Sequence, residues 1–392
     1  MQDYILSQTA ATLQRSVMRD LMALAVSPDI LSLAGGLPAS EVLPGQEFSQ
    51  SLERVLSRDG AAAMQYGPPW MPLREWIAGF MRGKGVACSA ENIFITNGAQ
   101  QALAILSRLF CDPGDTAVIE AITFTGVQQV TLGRRLNVHT VPTDLDSGVD
   151  VGALEHAFRT HRPKLAVLIP NFHNPMGVTI SREKRERIVA LAAEYRVPVV
   201  EDDPYSPLRF MGEAMPPLKA MDEEGMVFYI GSFSKMLMPA ARLGWIVGPA
   251  ELADRITVLR ESIDLESSQL IQRAVHDFVQ EGRLEAYLDR LNSTNLRRRQ
   301  VLMQALETHF APLGARWTKP EGGLFAWITL PEHIDAWQRF ETAVQQKVAY
   351  IPGAAFAVQG GHRNTLRLNF SNITEEHIRE AIRRLAQVFS AA

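Results

Sequence analysis

The chain has 392 residues, 46% hydrophobic and 21% charged, with a formal net charge of −4 from 39 basic and 43 acidic side chains. That describes a globular chain able to bury a sizeable core, as two or three compact units or one large domain with a smaller one attached. The charge balance gives no footprint for nucleic acid or an acidic membrane surface, and two cysteines, Cys88 and Cys111, are too few for a disulfide framework or a structural zinc site.

No basic segment followed by an apolar core opens the chain, and no apolar run approaches the length needed to span a bilayer. A soluble cytoplasmic enzyme is therefore the expectation. Leu13, Val17, Leu21 and Leu24 recur at helical spacing, which predicts a helix over 9–26 with Arg15 and Arg19 on one side. A solvated basic face reads the same way. An extended run then enters Gly35-Gly36, a pair suited to a close approach to the backbone or to an ordinary turn. Helical patterns over 48–56 and 73–80 flank a proline-rich loop, Tyr66-Gly67-Pro68-Pro69-Trp70-Met71-Pro72.

A strand over 92–96 precedes Asn97-Gly98-Ala99-Gln100-Gln101 and an apolar helix over 102–110. Strand, glycine turn and helix start expose free N–H groups at the positive end of the helix dipole, which suits an anion. The lysine and second glycine of a Walker loop are missing. Further strands are predicted over 116–120, 166–170 and 197–200, with an amphipathic helix over 182–195. They end near Thr123-Phe124, in Asn171-Phe172-His173-Asn174-Pro175-Met176-Gly177, and in Glu201-Asp202-Asp203-Pro204-Tyr205.

A fifth strand over 226–230 ends in Gly231-Ser232-Phe233-Ser234-Lys235, with Arg242 beyond it and another strand-like run over 243–247. Lys235 lies among Met, Leu and Pro, not in a solvated run. Losing water lowers an amine's pKa and makes it a nucleophile. Ser232, Ser234 and Arg242 supply donors for a phosphate. Together they point to an aldehyde cofactor that carries a phosphate, pyridoxal phosphate (PLP), rather than to an incidental lysine between two strands. Strands alternating with helices predict a mostly parallel α/β sheet, whose ligand groups collect beyond the carboxyl ends of its strands. The polar clusters at 97–100, 123–124, 171–174, 202–205 and 232–235 all fall there.

Helices follow over 252–261, 270–280 and 284–310. After Glu321-Gly322-Gly323 come a strand over 324–330, a helix over 334–347, strands over 348–351 and 365–370, and a helix over 375–389, an α+β unit. There is no internal repeat and no low-complexity linker.

Ser-Phe-Ser-Lys at 232–235 with Arg-Leu-Gly at 242–244, Asn-Pro-x-Gly at 174–177, Glu-Asp-Asp-Pro-Tyr at 201–205 and Leu-Arg-Leu-Asn-Phe-Ser at 366–371 carry a resemblance. In this order they resemble the fold-type I PLP-dependent aminotransferases of class I/II, and among them the 2-aminoadipate and kynurenine aminotransferase branch. The resemblance runs from about residue 32 to the C-terminus. It implies a large PLP-binding domain over 46–285 with a mostly parallel central sheet flanked by helices. A smaller α+β domain would span 286–392, with 1–45 as an N-terminal helix and segment belonging to it or to a substrate lid. It also implies a homodimer with shared active sites and a ping-pong transfer from an L-amino acid to a 2-oxo acid, with 2-oxoglutarate the expected acceptor.

The same resemblance assigns residues. Lys235 would join the cofactor and carry the proton, and Asp202 would face the pyridine nitrogen; Asp203 competes, but the family pattern Asp-x-x-Tyr selects Asp202 and Tyr205. Tyr205 and Asn174 would hydrogen-bond the phenolic oxygen. Gly98, Ala99 and Gln100 N–H groups, Ser232, Ser234 and Arg242 would hold the phosphate, and Phe124 would stack on the ring. Arg367 matches the arginine that grips the substrate α-carboxylate, with Asn171 on the same group and Gly35-Gly36 passing over the substrate. Tyr66 resembles a tyrosine that reaches the neighbouring subunit's phosphate. The loop after it departs from the family pattern and is shorter, so Trp70 is expected to reshape the pocket. Ser16-Val17-Met18-Arg19 fits a mobile N-terminal helix whose arginine meets the substrate's far end.

Two rivals share the fold. A PLP lyase or decarboxylase would use the same cofactor residues. A PLP-sensing regulator would carry the domain behind a winged helix, whereas here the resemblance begins near residue 30 and the net charge is not basic.

Overall fold

The computed structural model describes residues 5–12, 21, 27 and 29–390. A seven-stranded sheet lies at its centre: β1 (Ile93–Thr96), β2 (Thr116–Glu120), β3 (Asn137–Val141), β4 (Leu165–Leu168), β5 (Val199–Asp202), β6 (Val227–Ser232) and β7 (Gly244–Val247). Their spatial order is β1-β7-β6-β5-β4-β2-β3. All neighbours are parallel except β7, which runs against both β1 and β6. The 233–243 connection holds only one helical turn and a 3-10 turn, too little for a crossover, so β7 returns beside β6 in the opposite sense.

The strands are apolar on both faces because helices cover both. Phe94, Ile119, Val167, Val200, Phe228, Ile230 and Ile246 pack on one side with Leu103 and Leu106 of α1 (Ala99–Phe110). Their alternate neighbours face the other way: Val118, Ala166, Leu168, Val199 and Val227 meet Ile188 and Leu191 of α2 (Arg182–Tyr195). Ile93, Ile95, Tyr229 and Trp245 meet Leu73 and Ile77 on the same side. Period-two alternation thus splits each strand between two cores.

The C-terminal part forms an antiparallel sheet of β8 (Arg316–Trp317), β9 (Phe325–Thr329), β10 (Ile351–Pro352) and β11 (Thr365–Asn369), in order β8-β9-β11-β10. Leu302 and Leu306 of α3 (Arg283–His309) and Ile378, Ile382 and Leu385 of α4 (Glu375–Ser390) pack on Ala326, Ile328, Leu366 and Leu368. Alternation therefore turns Phe325, Trp327 and Arg367 to the opposite face, where Trp327 and Arg367 are register partners. Leu31–Ser32 pairs in parallel with Val348–Ala349, which joins the N-terminal segment to this unit.

Several expectations shift. The helix over 334–347 contracts to Phe340–Gln345, because Asp335 Oδ1 accepts the N–H groups of Trp337 and Gln338 at 2.9 and 3.0 Å and turns the chain there. The strand over 348–351 divides: Val348–Ala349 pairs with the N-terminal segment, and Ile351–Pro352 joins the antiparallel sheet. β3 and the Val151–His161 helix were not anticipated. Gln8–Thr12 is helical, while Arg15, Arg19 and Leu24 of the expected N-terminal helix lie outside the described residues.

Candidate active site

The ends of β1, β2, β4, β5 and β6 open into one cavity of about 250 Å³, faced on the other side by Gly36, Phe325 and Arg367. At one end Gly98 leaves β1 with φ +82° and starts α1. Arg242, also left-handed at φ +48°, reaches across; its Nη2 donates to Asn97 O at 3.3 Å and its Nη1 to Ser234 Oγ at 3.4 Å. A Cβ on Gly98 would lie 2.8 Å from Arg242 Nη2, so glycine is what permits this approach. Ser232 Oγ accepts the Ser234 N–H at 3.1 Å. Ala99, Gln100, both serines and Arg242 line this end, a cup of N–H, hydroxyl and guanidinium donors that suits a phosphate.

Lys235 projects from the one-turn helix Phe233–Met236, and its Nζ donates to Gly36 O at 2.7 Å. Burial, reinforced by the charges of Arg367 and Arg242, lowers its pKa to about 8. Asp202 ends β5 and is 3% exposed. Burial, and then the charge of Asp203, raises its carboxyl to about 7, and its Oδ1 has no hydrogen-bond partner among the described residues. Asp203 is committed elsewhere: Oδ2 accepts from Tyr229 OH at 3.1 Å and Oδ1 from the Ser206 N–H at 2.9 Å. Asp202 is thus the carboxylate that lines the cavity. Its orphaned oxygen fits the protonated ring nitrogen of PLP, which would supply the missing donor and restore the ionised form.

Arg367 is 1% exposed, and among the described residues no carboxylate pairs with it. Its Nη1 donates to Asn174 Oδ1 at 2.9 Å and its Nη2 to Ala34 O at 2.6 Å, while Nε has no partner among the described residues. The guanidinium lies 4.3 and 4.8 Å from the ring centroids of Phe325 and Phe356. Burial draws its pKa down to about 10. A buried cation without an anion is costly, and a substrate carboxylate would relieve that cost. Asn174 Nδ2 donates to Tyr205 OH at 3.4 Å, and burial holds the Tyr205 hydroxyl proton far above its ordinary pKa.

Gly36, Ala99, Gln100, Phe124, Asn174, Asp202, Tyr205, Ser232, Ser234, Lys235, Arg242 and Arg367 therefore converge, with Gly98 directly behind Arg242. Asn171 does not line the cavity, which corrects the expectation for it. Its Oδ1 accepts from Arg185 Nη2 at 2.7 Å, and that buried arginine also donates to Pro170 O and Ile180 O at 2.9 Å. Asn174 makes the contact with Arg367 instead. Trp70 is also away from the cavity, under the Arg273 guanidinium at 3.7 Å. Tyr66 is 80% exposed and outside it, and Arg19 lies outside the described residues. Ile169, Pro204 and Phe325 line the cavity without having been singled out. Ile169 and Pro204 sit just past strand ends, a position that could have flagged them.

Fold and donor set together define a PLP enzyme of fold type I. Residues 45–385 match the family model for aminotransferase class I and II. The aromatic-amino-acid aminotransferase 1 of Thermococcus litoralis is 39% identical over 389 residues, 97% of this chain and 93% of the relative. The 2-aminoadipate transaminase of Thermus thermophilus is 35% identical over 383 residues, 96% of this chain and 94% of the relative. The Pyrococcus horikoshii kynurenine aminotransferase, solved in complex with PMP, superposes with a TM-score of 0.94 at 36% identity, covering 98% of this chain and 97% of that one. The chain belongs to the class I and II aminotransferases, PLP-dependent enzymes that move an amino group from an amino acid to a 2-oxo acid.

Proposed function

We propose the following division of labour for that transfer. The cup formed by Gly98, Ala99, Gln100, Ser232, Ser234 and Arg242 holds the cofactor phosphate, and Phe124 stacks on the ring. Bound PLP supplies an electron sink next to the substrate Cα. Asp202 keeps the ring nitrogen protonated, which maintains that sink. Asn174 and Tyr205 hydrogen-bond the phenolic oxygen. Arg367 grips the substrate α-carboxylate through its guanidinium and orients the Cα–H. Lys235, whose pKa of about 8 makes the free amine accessible near neutral pH, removes that proton and returns it to the cofactor side. The observation that carries this reading is Arg367, a buried cation without a carboxylate partner among the described residues, sharing one cavity with a desolvated lysine.

The acceptor is 2-oxoglutarate, and the donor panel starts from aromatic amino acids and 2-aminoadipate, the substrates in the names of the two relatives. The working unit is a homodimer in which Tyr66 reaches the other subunit's phosphate. Support comes from the exposure of Met64, Tyr66 and Leu265, at 68, 80 and 62%, in and beside two loops tied by the Gly67 N–H to Glu266 at 2.9 Å. Residues 29–45 and 286–392 form the smaller domain around the sheet that holds Arg367, or the N-terminal part serves as a substrate lid, and 46–285 form the larger domain. The enzyme acts in the cytoplasm. Among the described residues no helix is long and apolar enough to cross a membrane.

Absorbance spectra test the reaction. One amino donor converts the cofactor band to that of the pyridoxamine form, and 2-oxoglutarate converts it back. A bound cofactor band that every amino acid in the panel leaves unchanged, or a product that has lost its carboxylate, would overturn the transfer reading.

A further inference from the structure

Glu120 and His173 are buried groups that the division of labour above does not use. Glu120 closes β2 and is fully buried. Its Oε1 accepts the Thr143 hydroxyl at 3.0 Å and its Oε2 the Ile169 N–H at 2.9 Å. The same Oε2 lies 3.2 Å from His173 Nε2, off the ideal hydrogen-bond axis, with both side chains 1% exposed. Among the described residues no other charged side chain pairs with Glu120. A carboxylate taken this far out of water needs such partners.

His173 also shapes the turn that follows it. Its Nδ1 accepts the Met176 N–H at 3.4 Å, which places the neutral ring's proton on Nε2, toward Glu120. Its backbone N–H donates to Val178 O at 2.8 Å, and its carbonyl accepts the Gly177 N–H at 2.6 Å. The next residue is Asn174, whose amide oxygen takes Arg367 and whose amide nitrogen reaches Tyr205. One imidazole thus fixes the turn from inside and ties it to the end of β2.

We propose that Glu120 and His173 are a positioning pair that sets the aim of Asn174, and through it the proton affinity of the nitrogen that Lys235 contributes to the bound cofactor. This rests on the reading of Asn174 as a donor to the phenolic oxygen. A donor on that oxygen withdraws negative charge that would otherwise hold a proton on the adjacent nitrogen, so losing the aim of Asn174 raises that nitrogen's pKa. Arg367 loses its steadying partner at the same time, so the KM for the amino donor rises.

The test follows the visible absorbance of the holoenzyme against pH in wild type, His173→Leu, His173→Gln, Glu120→Gln, Asn174→Ala and the two doubles that add Asn174→Ala to His173→Leu or Glu120→Gln. His173→Leu moves the midpoint upward by about half a unit to one unit. His173→Gln stays near wild type, since one amide can accept the Met176 N–H and donate to Glu120. Neither His173→Leu nor Glu120→Gln adds a shift once Asn174 is alanine, because each acts through it. A folded His173→Leu holoenzyme with the wild-type midpoint, or a shift that persists in full in the Asn174→Ala background, overturns the proposal. Should His173→Leu not fold, His173→Phe, a ring of similar size with no acceptor for the Met176 N–H and no donor toward Glu120, decides by the same comparison. An Asn174→Ala protein that itself keeps the wild-type midpoint removes the reading of Asn174 instead.

Discussion

Lys235 is held where an ammonium is disfavoured, and this has a consequence for stability that is separate from catalysis. Its folded pKa is about 8, against 10.5 for an unperturbed lysine, with burial the leading cause and the charges of Arg367 and Arg242 after it. Between those values the unfolded chain binds the proton and the folded chain does not, so stability rises with pH across that window. The penalty for the buried charge is complete below pH 8 and gone above 10.5. A cofactor-free Lys235→Met protein therefore melts higher than cofactor-free wild type at pH 7, and the gap closes as pH climbs toward 10.5. Melting temperatures at a series of pH values check this; a gap that is constant from 7 to 10.5 would mean that desolvation is not its source. Asp202 has the opposite sign. Its acid is raised from 3.8 to about 7, so the folded chain binds the extra proton and stability falls as pH rises through that interval. A ligand with one cationic nitrogen and one aldehyde would match both groups.

On the proposed reading, the β1–α1 turn is the element on which phosphate binding depends most. Gly98 combines a left-handed φ of +82° with a Cβ position 2.8 Å from Arg242 Nη2. Gly98→Ala adds backbone strain of about 1–3 kcal/mol and pushes the guanidinium out of the cup. PLP affinity is expected to fall about 10- to 100-fold while the fold is retained. Titration of the cofactor-free variant with PLP measures it, and an unchanged Kd would place the phosphate elsewhere. Elements of this kind were legible in the sequence because a parallel sheet sends its ligand groups to one edge, so each polar cluster after an apolar run pointed to the cavity. The choice between Asn171 and Asn174 was not legible. Both lie in one loop of irregular backbone, and it is Arg185, arriving from α2, that claims Asn171. Arg367 was placed by its flanking residues, and alternation on β11 explains why it, and not Leu366 or Leu368, faces the cavity. β3 escaped notice because Asn-Val-His-Thr-Val at a half-exposed sheet edge carries little apolar signal.

At the scale of the whole molecule, the cavity is assembled between two sheets, with Lys235 and Asp202 from the central one and Arg367 and Phe325 from the C-terminal one. Neither unit builds it alone. Tyr66 stands apart, 80% exposed on a loop tied to Glu266 and Gln269. If it serves the partner's phosphate, the two functions can be separated genetically. On the proposed division of labour, Lys235→Ala lacks the proton carrier, and Tyr66→Ala loses a phosphate hydrogen bond worth about 1.5–3 kcal/mol. When the two variants are unfolded together, refolded and assayed at limiting PLP, each mixed dimer has one site with both defects and one with neither. Statistical mixing makes half the dimers mixed, so about a quarter of all sites regain wild-type PLP affinity and turnover. A tyrosine acting within its own chain predicts otherwise: no dimer would then hold an intact site, and the mixture would never exceed the sum of the separate variants.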